Sequence, residues 1–73
     1  MERYFMSRTS AVALLVDTRQ MLSANLHEKP QSESDRHQRM LQEVERLLLN
    51  VRVGRTREFD LEFPSRIHVI VSN

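Results

Sequence analysis

Seventy-three residues with no cysteine and a single glycine make at most one small domain. Disulfides and thiolate metal sites are excluded, and so are the glycine-rich phosphate loops, which need several glycines at fixed spacing. The net charge of +1 favours neither acidic nor basic partners, although the basic residues are ten arginines against the single Lys29.

The first residues, Glu2-Arg-Tyr-Phe-Met6, show no alternation. They fit a strand only if forced, as a ribbon-helix-helix repressor would require, and a C-terminal hairpin is then surplus. The first predicted helix spans about 10–26, with a start as early as Tyr4 open and Thr9 or Ser10 as its N-cap. Val12, Leu15, Leu22 and Leu26 form one stripe at helical spacing, flanked by Val16. Leu14 and Met21 lie on nearly the opposite side. A helix apolar on two sides usually touches two things, here its own domain and a partner subunit; the alternative is a single deep core contact with Leu14 half exposed.

The stretch 27–34 reads as a loop. Pro30 disfavours helix at Lys29, and Ser32 or Ser34 caps the next helix, with Glu33 and Asp35 complementing its positive end. The second helix is predicted over about 35–50, because Met40, Leu41, Val44, Leu47, Leu48 and Val51 repeat at i, i+3, i+4 and i+7. Val51-Arg-Val53 reads as extended, with Gly54 supplying a break.

Two strands are predicted over about 57–63 and 67–71. In the first, Phe59, Leu61 and Phe63 alternate with Glu58, Asp60 and Glu62, the period of a half-buried strand. In the second, Ile67, Val69 and Val71 share a face. Folding about Pro64-Ser65-Arg66 opposes Phe63 to Ile67, Leu61 to Val69 and Phe59 to Val71, and sets His68 against Glu62. The expected fold is therefore α+β: a two-helix hairpin followed by a C-terminal antiparallel β-hairpin (ααββ), residues 1–73 forming one domain.

A core this small commonly leans on disulfides, metal or oligomerisation. His27, His37 and His68 show no ligand spacing, so a homodimer is the expected staple. Ile67 to Val71 is β-rich and, as an open edge, would need covering. The longest apolar run, Ala11 to Val16, is too short to span a bilayer, and Asp17 ends it. A cytoplasmic protein with no membrane partner is expected.

Chemistry-bearing motifs are absent from the sequence. There is no G-x-S-x-G elbow and no nucleophilic cysteine, and the row Glu58, Asp60, Glu62 falls on the solvent face of a strand. No enzyme and no cofactor is expected. The expected function is a non-catalytic protein-binding or regulatory module, of the kind bacteria and phages encode in short genes, that covers a surface of a larger protein. Its surface is expected to combine Leu14 and Met21 with Arg52, Arg55 and Arg57, since arginine is enriched at interface hot spots. The alternative is a small dimeric nucleic-acid-binding regulator that sets Arg52, Arg55, Arg57 and Arg66 against phosphates.

Overall fold

A computed structural model describes residues 2–26, 31–63 and 65–72, with the helical residues 25–26 and 31–34 described by backbone alone. The element order is strand β1 (Glu2–Ser7), helix α1 (Arg8–Leu26), helix α2 (Gln31–Arg52), strand β2 (Glu58–Leu61) and strand β3 (Ile67–Ser72). The expected break at Lys29 and Pro30, the inward side chain of Leu26 and the turn at Pro64 lie outside the described residues.

The ααββ expectation is wrong at its first element. The chain begins with a strand, and the sheet is mixed: order β1-β3-β2, with β1 parallel to β3 and β2 antiparallel to it. The physical reason is the apolar, β-prone Tyr4-Phe5-Met6, which adds a third strand to a hairpin that is marginal by itself. A helix starting at Tyr4 is thereby excluded. The strand passes into α1 without a loop, and Ser7 rather than Thr9 or Ser10 is the N-cap: its Oγ accepts the Ser10 backbone N–H at 3.2 Å.

This topology makes β3 the central strand. Ile67 to Val71 is paired on both sides inside one chain, so the expected open edge is not there; the edges are β1 and β2. The hairpin keeps the predicted faces and shifts the predicted register by two residues. Phe59 opposes Val69, Leu61 opposes Ile67, and His68 opposes Asp60 rather than Glu62. A two-residue slip preserves which side chains point inward, so it leaves the hydrophobic pattern satisfied. In the observed register Phe63 lies beyond the paired residues of β2. It leaves the strand and meets the buried ring of His37 on α2 edge-to-face, centroids 5.9 Å apart.

The core lies between the two helices and one face of the sheet. It joins Ala11, Leu15 and Leu22 of α1, Val44, Leu48 and Val51 of α2, and Phe59, Leu61, Val69 and Val71 of the hairpin. Thr18 is fully buried on α1, and its hydroxyl donates to the Leu14 carbonyl at 2.8 Å, which removes the penalty for burying it.

Helix α2 is longer than predicted at both ends. It begins at Gln31, which puts Ser32 and Ser34 inside its first turn rather than at the cap. It also continues through Val51 and Arg52, because Val51 extends the buried stripe from Val44 and Leu48 and is only 1% exposed. Gly54, at φ +80°, stops it. The Gly54 N–H donates to the Val51 carbonyl at 3.1 Å and the Arg55 N–H to the Asn50 carbonyl at 2.8 Å, a Schellman closure that needs the left-handed residue glycine supplies. Among the described residues no helix is long and apolar enough to cross a membrane.

Candidate interaction surfaces

Three surfaces are left open by this packing. The first is the C-terminal end of α2. Of the residues singled out from the sequence, Arg52, Arg55 and Arg57 are all exposed and follow one another around the α2–β2 turn. Arg8 joins them from α1: its guanidinium lies 3.5 Å from where a Cβ would sit on Gly54. Arg66 lies elsewhere, beside β3's start, where the β2–β3 connection ends.

Leu14 and Met21 are placed differently. Leu14 is half-buried against the core, and Met21 is 40% exposed on α1. Met21 stands about 20 Å along the helix axis from Arg8, at 1.5 Å per residue, so it is not part of the arginine-rich end.

The apolar residues beside those arginines are Leu49, 62% exposed, and Val53, 66% exposed. The Val53 N–H donates to the Leu49 carbonyl at 3.2 Å, so Val53, in the turn just past α2, follows Leu49 by one turn. Arg46 and Arg52 sit three residues either side of Leu49 and flank it. Neither Leu49 nor Val53 was singled out from the sequence. The signal was the run Leu47-Leu48-Leu49, three consecutive leucines that cannot all face one core.

The second surface is the sheet face turned away from the helices. Arg3, His68 and Asp60 form one row across the three strands, and Phe5, Ile70 and Glu58 form the next. His68 is clamped from both sides: Nε2 lies 2.6 Å from Glu58 Oε2, and Nδ1 contacts Asp60 Oδ1. The hydrogen bonds to Asp60, then to Glu58, hold its pKa above the ordinary 6.5, against partial desolvation. Charged imidazolium donates from both nitrogens at once, which a neutral ring cannot do. This arrangement shares one imidazolium charge between two strand carboxylates. Among the described residues no group of three His, Asp or Glu side chains is placed to hold a metal ion.

The third surface is a groove of about 320 Å³ between α2 and β2. Leu22, Met40, Val44, Leu47, Leu61 and Phe63 line it, and Arg39, Glu43, Asp60 and Glu62 form its rim. Its charged border is Arg39 against Glu43, Asp60 and Glu62, acidic on balance.

Neither the curated proteins nor the solved structures gave a match to this sequence. A family model does match, over residues 2–72, under the description "Uncharacterized protein BTH_I2711-like". Since the match runs through every strand and both helices, the chain belongs to the BTH_I2711-like family.

Proposed function

We propose that this protein is a small non-catalytic binding module that covers a surface of a larger protein. The observation that carries the reading is the exposed pair Leu49, on α2, and Val53, in the turn just past it, with Arg46 and Arg52 three residues either side of Leu49 and Glu45 one turn before it. An apolar centre with an arginine rim is the chemistry of a protein interface: the centre gives up water, and the guanidinium forks pair with carboxylates around it. A partner with an apolar recess bordered by Asp and Glu fits it.

The expected test is affinity capture of the tagged chain from its native cell, with and without nuclease. A protein retained after nuclease treatment and lost from a Leu49→Asp/Val53→Asp variant supports the reading. Both positions face solvent, so that variant leaves the fold intact.

One observation favours a second reading. Arg8, Arg52, Arg55 and Arg57 meet at one end of the molecule, where they would suit a phosphate backbone. Salt separates the two. Engagement of six or more phosphates loses about 10³-fold in affinity between 50 and 200 mM salt. Binding of mixed-sequence DNA or RNA that follows this slope, unaffected by Leu49→Asp and abolished by an Arg52/Arg55/Arg57 triple alanine variant, would replace the protein-partner reading.

A further inference from the structure

We infer that β1 pairs with β1 of a second copy of this chain, antiparallel and centred on Phe5, so that two three-stranded sheets become one of six strands. The two edges of the sheet differ in how they are finished. β2 is four residues long and carries Glu58 and Asp60, both exposed, which suits an edge that is to stay solvated. β1 is six residues long, and its middle is the uninterrupted apolar run Tyr4-Phe5-Met6. Phe5 is 75% exposed, and Tyr4, on the face that carries the core, is still 42% exposed. The two charges of β1, Glu2 and Arg3, are of opposite sign and sit at its start, and from Tyr4 to Ser7 the edge presents free backbone donors and acceptors to any strand that fits it.

The strand's own sequence selects a second copy as that partner. An antiparallel pair with Phe5 opposite Phe5 sets Tyr4 opposite Met6 and Arg3 opposite Ser7. It also brings Glu2 level with Arg8, the first residue of α1. Apolar residues meet apolar residues, the acid comes level with a base, and no like charges oppose each other. Moving the two-fold axis to Tyr4 sets Arg3 against Phe5 and Glu2 against Met6; moving it to Arg3 sets arginine against arginine. A two-fold interface uses the same patch on both subunits, and of these three registers only the one centred on Phe5 sets apolar residues against apolar residues through the middle of the strand.

The chain lacks cysteine, so single-cysteine variants report the register directly. Sedimentation equilibrium of the native chain at micromolar concentration is expected to give twice 8.7 kDa. Phe5→Cys is expected to form a disulfide-linked dimer under mild oxidation, and Val53→Cys, exposed in the turn after α2, is not. Phe5→Asp sets two carboxylates face to face across the two-fold axis and should weaken dimerisation about 100-fold or more, with an unchanged far-ultraviolet spectrum. A native chain that stays monomeric at 100 μM overturns the inference. So does a dimer that survives Phe5→Asp or cross-links through Val53→Cys. Because Leu49 and Val53 lie outside β1, failure of the dimer leaves the target-binding reading standing, and failure of target capture leaves the dimer standing.

Discussion

The two strands that flank β3 are both edge strands, yet the chain treats them in opposite ways. β2 turns Phe59 and Leu61 into the core at 6% and 3% exposure and sends Glu58 and Asp60 to the solvent face, where His68 of β3 holds them. Its apolar residues are spent inside the subunit. β1 has a comparable apolar content, but only Met6 is as much as half-buried, and Tyr4 and Phe5 remain outside. The difference teaches that hydrophobic content does not by itself tell a core strand from an interface strand. Alternation does: β2 alternates, and β1 does not.

The largest effect that bears on this comparison is expected in β2. Leu61→Asp puts an unpaired charge among Leu22, Val44 and Val69, and a burial of that kind costs more than this small domain holds; thermal melts should show no folded state. Val69→Ala in the central strand, fully buried, should cost about 2 kcal/mol through lost apolar contact and the cavity left behind. Gly54→Ala should cost about 1 kcal/mol, because the position is left-handed, although a Cβ there meets nothing closer than 3.5 Å. Phe5→Ala, measured on the subunit's own stability at high dilution, should change it by less than about 0.5 kcal/mol. Denaturant melts of the four variants give the ranking. If Phe5→Ala destabilised a dilute monomer as much as Val69→Ala, the contrast between the edges would collapse.

The acid-clamped histidine sharpens the comparison from the β2 side. His68 binds its proton more tightly folded than unfolded, since its folded pKa is raised. The resulting stabilisation is fully present below the unfolded value near 6.5 and is lost as pH rises through the raised folded value. Melting temperature should therefore decline across that window, and Asp60→Asn should lower the His68 pKa in an NMR titration and flatten the decline. A melting temperature that rises over the same window would contradict the clamp.

Much of the fold was legible where one period dominated. The buried face of α2, the helical extent of α1 and the inward set Phe59, Leu61, Val69 and Val71 all follow from spacing alone. β1 was not legible, because three apolar residues in a row carry no period and its partner β3 lies more than sixty residues away. The hairpin register escaped for a related reason: a slip of two keeps every face, so the pattern of inward residues is the same in both registers. At the candidate site the arginines were legible as a cluster in sequence. Their apolar centre was not, since Val53 reads as extended chain until Gly54 is seen to close a Schellman motif behind it.

Amide hydrogen exchange of the native chain, followed residue by residue by NMR as protein concentration is raised, puts the central claim at greatest risk. The account predicts that protection rises with concentration for β1 amides between Arg3 and Ser7, while the Glu58 to Leu61 amides stay unchanged. Concentration-dependent protection in β2, or none in either edge, would contradict it.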